Sequence, residues 1–369
     1  GYDLVEGDGL NTVNKFRNNT LQIKLRKEIS EKLNIKINAR YFAQLIDNIA
    51  PNNLTGETFT AEDNINLILN HNSEKFKTDF EIYYTSYFGD EFLNDDQGNR
   101  FSESFYDQIL VKPEIKTVYK VDIHKEFVFG MGYKYETLNR TFFDSKPKQN
   151  SPFIYFQYDF YPTKKINLIF GGRFDKFEEY KSQFSPKLSG IFEINNNESI
   201  KLSAGYGYKT PDFRQLYFNF SNSSVGYSVI GYNVVENVLN QLIEEGQIAN
   251  IIVPIEEFQE SLSPESSFGL NIGYDIEVNE QVGISTNIFR NSAKNLIDYR
   301  VIANKNNGQN VFSYYNVNNV STFGFEVKTK FKADNYFDFS LGYQLLYAFD
   351  IEARKAFENG EIFARLTPT

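Results

Sequence analysis

The stretch Ile166-Asn167-Leu168-Ile169-Phe170-Gly171-Gly172-Arg173-Phe174-Asp175 sets Ile166, Leu168, Phe170, Gly172 and Phe174 on one side of an extended chain. Asn167, Ile169, Gly171, Arg173 and Asp175 take the other side. Successive strand side chains point to opposite faces, so this segment has one apolar wall and one mostly polar wall. The same period returns along the chain. Leu33, Ile35, Ile37, Ala39 and Tyr41 alternate with Asn34, Lys36, Asn38 and Arg40. Phe323, Phe325, Val327, Thr329 and Phe331 alternate with Thr322, Gly324, Glu326, Lys328 and Lys330. Phe337, Phe339, Leu341, Tyr343 and Leu345 alternate with Asp338, Ser340, Gly342 and Gln344. A wall of Lys, Arg, Glu and Asn suits water, and the wall behind it suits lipid. Many of these segments run for ten residues or more, whereas strands of soluble domains usually stop near five or six. A tilted strand that crosses a bilayer needs that extra length.

The connections sharpen the reading. Short polar turns lie at Ser30-Glu31-Lys32, His71-Asn72-Ser73-Glu74, Asp122-Ile123-His124-Lys125 and Pro162-Thr163-Lys164. They recur at Asn195-Asn196-Asn197-Glu198, Val278-Asn279-Glu280 and Ala333-Asp334-Asn335. Longer irregular loops are expected between them, at 46–62, 89–104, 140–151, 210–262 and 296–311, and only the link near 180–183 is short. Within the longest of these loops, Asn233–Ile248 is a candidate short helix. Short turns at one end and long loops at the other describe an up-and-down membrane barrel. The turns predict 14–15 strands, the last near Glu361–Arg365. The fold class is therefore all-β, a large antiparallel transmembrane β-barrel.

Composition agrees. The 369 residues include Phe 36 and Tyr 25, with Trp 0 and Cys 0. A lipid-facing wall with Tyr at its interfaces uses that much ring surface. Mean hydropathy is −0.45, as a sheet with one polar face requires, and no apolar run approaches the roughly 18 residues of a spanning helix. The absence of cysteine excludes a disulfide scaffold and a thiolate metal site. A net charge of −10 argues against nucleic acid as a partner, because phosphate binding needs clustered Lys and Arg. Gly1-Tyr2-Asp3 opens the chain without a basic or apolar leader, so any signal peptide is expected outside it.

Three stretches carry a resemblance. The first is Gly205-Tyr206-Gly207-Tyr208-Lys209-Thr210-Pro211-Asp212-Phe213-Arg214-Gln215-Leu216-Tyr217. The second is Leu262-Ser263-Pro264-Glu265, followed by Gly269 and Gly273-Tyr274. The third runs from Asn287-Ile288-Phe289 through Asn295-Leu296-Ile297 to Tyr315-Asn316-Val317 and Gly324-Phe325-Glu326. In order and spacing over 205–326 they resemble the barrel half of TonB-dependent outer-membrane receptors, particularly those of the Bacteroidetes type. The resemblance implies a 22-stranded barrel in the outer membrane, surrounded by lipid and filled by an N-terminal plug that couples to the TonB complex. The chain has no plug-like segment and ends at Thr369 without the aromatic terminus usual for such barrels. Residues 1–369 are thus expected to be an incomplete receptor barrel.

Pro211 cannot donate to a ladder and holds Thr210 extended, so a strand should end there. The loop beyond it supplies the candidate ligand-binding residues Phe213, Arg214, Tyr217, Tyr227 and Tyr232. These side chains equally serve to fix loop geometry. The three tyrosines are also the candidate haem ligands, because Phe213–Leu262 contains no His. The acidic run 236–265 holds Glu256, Glu257 and Glu260, oxygen donors that suit Ca²⁺ in an extracellular loop or else a solvated surface. Asn94-Asp95-Asp96-Gln97-Gly98-Asn99 is a fragment of a calcium loop without its distal Glu, and reads better as a turn. Lys36, Arg40, Arg173, Glu326, Lys328 and Lys330 are expected to line the interior. His71 and His124 fall in tight turns with no Ser partner in view, so catalysis is not supported.

The resemblance thus implies import of a scarce nutrient, such as siderophore-bound iron, a corrinoid or haem, driven through TonB. A passive porin, or a glycan transporter working with a surface lipoprotein, is the alternative reading. Ligand specificity is expected in 210–262 and 296–311.

Overall fold

The structure is a computed structural model that describes residues 2–8, 15–50, 53–222, 227–317, 319–333 and 337–361. The chain begins with β1 (Tyr2–Asp8), β2 (Lys15–Ser30), β3 (Leu33–Ala50), β4 (Leu54–Asn72), β5 (Phe76–Asn94) and β6 (Arg100–Asp122). It continues with β7 (Lys125–Arg140), β8 (Lys148–Thr163), β9 (Ile166–Asp175), β10 (Gln183–Asn195) and β11 (Glu198–Lys209). There it leaves the wall through α1 (Phe213–Tyr217), β12 (Asn219–Asn222), β13 (Tyr227–Ile230), α2 (Val235–Glu244) and β14 (Ile248–Ile251). It returns as β15 (Glu265–Glu277) and β16 (Val282–Lys294), leaves again as β17 (Leu296–Lys305) and β18 (Asn310–Val317), and resumes as β19 (Val320–Lys332) and β20 (Asp338–Asp350). A last helix, α3, spans Ile351–Glu358.

Fifteen strands form one sheet in the order β1 to β11, β15, β16, β19, β20. Each neighbouring pair is antiparallel. Six of the expected tight turns join consecutive strands of this sheet at one end; the seventh, at Ala333-Asp334-Asn335, lies beyond Ala333 outside the described residues. Among the described residues β1 and β20 are not paired to each other, so the sheet is open. β1 is the strand that the turns did not anticipate. Beyond Glu361, the expected strand near Glu361–Arg365 lies outside the described residues.

The expected loops need correction. Among the described residues, positions 46–62 and 89–104 are mostly strand, with breaks at Asn53 and at 95–99. The link 140–151 shrinks to 141–147, and that after β9 runs over 176–182. The cause is strand length. At about 3.3 Å per residue, the 23 residues of β6 span about 75 Å. Tilted by about 45° they still rise well beyond a hydrocarbon core of about 30 Å. The hairpins project past the membrane, and their polar residues continue the ladder in water. In the turn Asp95–Asn99, the Asp95 carboxylate accepts from the backbone of Gln97 (3.0 Å) and Asn99 (2.7 Å). Gly98 takes φ +83° there. These bonds hold the Asp95 carboxyl below its ordinary range, the backbone amide of Asn99 contributing most.

Opposed residues, followed from strand to strand, place Lys36, Arg40, Arg173, Glu326, Lys328 and Lys330 on one side of the sheet, as expected. That inner wall satisfies its charges locally, through Lys112–Glu114 (2.8 Å), Arg173–Asp175 (2.7 Å) and Lys201–Asp275 (2.6 Å). The outer wall leaves Phe129, Met131, Ile154, Phe156, Leu188, Leu202 and Leu341 exposed, the side chains that lipid covers. Aromatic residues also enter the inner wall, two of them side by side on β8. Phe153 is buried beneath the Arg173 guanidinium, 3.8 Å from its ring centre. Beside it, the Tyr155 hydroxyl donates to Glu114 (2.7 Å). Gly132 and Gly130 stand opposite these rings. A Cβ on Gly132 would lie 2.5 Å from Phe153 and 2.7 Å from the Pro113 carbonyl. Glycine is needed there because two neighbours already fill the space.

Candidate functional site

The buried apolar core of this molecule is not in the wall. It lies at the long-loop end, where Leu216, Ile230, Val235, Leu239, Leu262, Ile302 and Val311 are almost fully buried together. These residues come from the two excursions 210–264 and 295–319, the segments expected to hold specificity. Their strands form a second sheet in the order β12-β13-β18-β17-β14. The excursions join on both sides of the β17–β18 hairpin: through the parallel pair β13–β18, with Tyr227 opposite Asn310 and Ile230 opposite Ser313, and through the antiparallel pair β14–β17, with Ile251 opposite Ala303. Positions 296–311, expected as loop, are therefore most of a hairpin in this cap. Long-loop ends of such barrels face the cell exterior.

Local sequence explains the pieces. β11 stops at Lys209, ahead of Pro211 as expected, and Asp212 then caps α1. Its carboxylate accepts from the Gln215 amide (2.8 Å), while the Gln215 side chain accepts from the Asp212 amide (2.9 Å). This reciprocal box satisfies two helix-end donors. The short helix expected within Asn233–Ile248 is α2. Val235 and Leu239, four apart, face the core, with Val238 and Leu242 packed beside them. Gly246, at φ +66°, ends the helix. There the Gly246 amide donates to Ile243 and the Gln247 amide to Leu242, the left-handed stop that glycine favours.

The five expected ligand residues divide. Tyr232 is turned into the core, and its hydroxyl donates to the Glu257 carbonyl (2.8 Å), so it anchors the cap instead of facing a ligand. Burial raises its pKa. Tyr217 is half-buried, and its hydroxyl donates to both oxygens of Glu179 (3.0 and 3.1 Å). Burial first, then the Glu179 charge, push its pKa up to about 12. Phe213 packs near Tyr217, 6.4 Å between ring centres, and Arg214 is exposed. Tyr227 belongs to a run of rings: Phe142–Phe220 (5.0 Å), Phe218–Phe220 (5.5 Å), Phe220–Tyr227 (6.1 Å) and Tyr227–Phe312 (6.5 Å).

The acidic residues do not gather. Glu256 and Glu257 lie in a short 3₁₀ turn, and the Glu257 carboxylate reaches Arg300 (2.6 Å). Among the described residues no three His, Asp or Glu side chains converge as metal donors, so the expected Glu256, Glu257 and Glu260 set does not form a cation cage. Sequence distance hid the reason: Arg300 comes from the other excursion. His71 and His124 are exposed.

One residue was not anticipated. Arg140 ends β7 on the inner side of the mouth, in line with Glu136 and Lys134. Its guanidinium lies 5.0 Å from the ring centre of Phe218, 5.6 Å from Tyr106 and 5.8 Å from Phe143. Below it opens a hollow of about 560 Å³, lined by Thr58, Tyr87, Glu91, Ser104 and Tyr106 among others. The signal was the run Arg140-Thr141-Phe142-Phe143, which pattern reading left inside a loop.

The sequence model of the family described as "TonB dependent receptor-like, beta-barrel" matches residues 2–367. No curated protein matches the chain in sequence. Among solved structures, the siderophore receptor PirA from Pseudomonas aeruginosa is similar, with TM-score 0.66 and 17% identity over 90% of this chain and 59% of that one. The outer membrane transporter YddB from Escherichia coli gives TM-score 0.67 and 11% identity over 91% of this chain and 48% of that one. The FrpB iron transporter from Neisseria meningitidis gives TM-score 0.60 and 12% identity over 91% and 52%. The chain thus spans less than two thirds of the length of each of these three.

Proposed function

Because this chain belongs to the TonB dependent receptor-like β-barrel family, a family of outer-membrane receptors and not of enzymes, we propose that it forms wall and mouth of an importer. The cargo is a scarce nutrient taken up as a compact complex, with ferric chelates favoured over corrinoids and haem, and the energy comes through TonB. One observation carries the reading: the two excursions fold together into a cap with its own core, standing over an inner wall of paired charges. A passive pore gains nothing from such a lid. A receptor that captures and then releases cargo needs a preformed surface at the outer mouth. The siderophore and iron receptors among its structural neighbours support a ferric chelate.

The open sheet fits this reading. Among the described residues the sheet is open, and unpaired backbone groups in hydrocarbon cost several kcal/mol each, so its edge strands β1 and β20 are expected to be covered in the membrane. Uptake of ferric chelates by cells carrying the full-length protein tests the proposal. Uptake should stop when TonB is deleted. Accumulation that continues unchanged without TonB would favour a passive porin and overturn active import.

A further inference from the structure

Lipid tails cover the rings and aliphatic side chains of the outer wall, but they offer nothing to a charge. Two charges of opposite sign nevertheless face outward. On β4, Asp63 lies opposite Tyr41, on the side of the sheet away from Arg40. On β16, Arg290 lies opposite Phe323, on the side away from Glu326. Their heights match. Counted from Asn72 and Val282, where β4 and β16 meet their tight turns, both stand roughly 20 Å up the wall, at about 3.3 Å per residue and a tilt of about 45°. The outward apolar band of such a wall is about 25 Å tall, so both charges fall in its outer part.

Neither is neutralised within its own copy. Asp63 accepts from the Ser86 hydroxyl (3.1 Å) and meets no cation among the described residues. Arg290 has no ion pair and no side-chain hydrogen bond among the described residues. The two cannot reach each other, because β5 to β11 and β15 stand between their strands. Each continues upward into a patch of its own sign. Above Asp63, Asp90 is exposed opposite Phe59, without an ion pair among the described residues. Above Arg290, Lys294 is exposed opposite Ser266, equally unpaired among the described residues. The surroundings are apolar on both sides. Phe59, Ile65 and Phe88 are exposed near Asp63, and Phe268, Leu270 and Phe323 near Arg290.

We propose that copies of this chain pack side by side in the membrane, the acidic face of β4 and β5 against the basic face of β16 in the next copy. Asp63 then meets Arg290, and Asp90 meets Lys294. An anionic lipid headgroup would suit Arg290 and Lys294 but be repelled by Asp63 and Asp90. A second copy, held at the same height by the same bilayer, offers each face its opposite. The rings and aliphatic groups around each charge exclude water from the pair, which strengthens it. Because the two faces differ, the contact is heterologous, and its repetition gives a row or a ring of receptors instead of a closed pair.

The test uses the full-length receptor in native outer membranes. This chain contains no cysteine, which leaves its wall free for introduced thiols. Two copies with different affinity tags are co-expressed, one with Ala61→Cys beside Asp63 and the other with Ser292→Cys between Arg290 and Lys294, and a short bismaleimide links them. Product carrying both tags should exceed by about tenfold that from Ala61→Cys in both copies, or from Ala61→Cys with Leu202→Cys on the outer wall of β11. Arg290→Asp in the Ser292→Cys copy should lower the yield about fivefold or more, and Asp63→Arg added to the other copy should restore it. Heat-modifiable gel migration checks that each variant is folded. Equal yields in the three pairings would overturn the contact. So would a loss that Asp63→Arg does not restore, the pattern expected if lipid alone occupies Arg290. No uptake enters this measurement, so the proposed import stands or falls separately.

Discussion

Replacing Leu239 by alanine should loosen the cap and leave the wall intact. Leu239 is fully buried, and its neighbours Leu216, Ile230, Val235 and Ile302 belong to the same cluster, all within the two excursions apart from their bases in the wall. Core Leu→Ala changes cost roughly 2.7–5 kcal/mol, depending on how far the cavity collapses. Taking about 3 kcal/mol, amide exchange that proceeds by opening of the cap should accelerate about a hundredfold. The assay is hydrogen exchange by mass spectrometry on the full-length receptor, comparing β13, α2, β17 and β18 with β3 to β6. Acceleration should appear in the first set alone, since the wall strands hold one another through their ladders. An increase below about threefold in the cap would mean that the core does not hold it. An equal increase in β3 to β6 would mean that cap and wall open as one unit. Either result would refute the reasoning.

Gly132→Ala should destabilise the wall by about 1–3 kcal/mol, because the new methyl meets Phe153 and the Pro113 carbonyl, and backbone cannot move aside cheaply. Gly205→Ala, whose Cβ would find its nearest neighbour at 3.7 Å, is the control, and urea midpoints of the refolded barrels compare the two. Tyr217→Phe tests the Tyr217–Glu179 bond through pH. The folded protein holds the Tyr217 proton above its ordinary 10.0, up to about 12. The native state therefore binds more protons than the unfolded chain between those values, and stability falls as pH rises through that window. The variant should lose that part of the alkaline decline, as measured by cap exchange at pH 9 and pH 11; an unchanged decline would show that burial and Glu179 do not hold the Tyr217 proton in the fold.

The wall was legible in sequence because period two survives wherever one face meets lipid and the other meets water. That rule located the six tight turns that the structure describes in full and the inner positions of Lys36, Arg173 and Glu326. It failed where both faces meet water. In the projecting parts of β3 to β6 no lipid enforces alternation, so Ile49, Thr58 and Glu91 read as loop although they stand in ladders. The cap was legible in part. Pro211 and the α2 helix follow from local chemistry, but the contact of Glu257 with Arg300 joins residues that no short-range pattern connects. The anchoring role of Tyr232 was hidden for a related reason: no local pattern shows that the distant Glu257 carbonyl accepts from its hydroxyl.

The parallel pairing of β13 with β18 has a consequence for anyone who would re-engineer the mouth. A parallel neighbour cannot be supplied by its own hairpin, so each excursion borrows an edge from the other. A graft that exchanges 210–264 alone would strand the hairpin β17–β18 without its partner and expose Ile302 and Val311, now sealed from water. Chimaeras between relatives should therefore carry both excursions from the same donor, as a matched set.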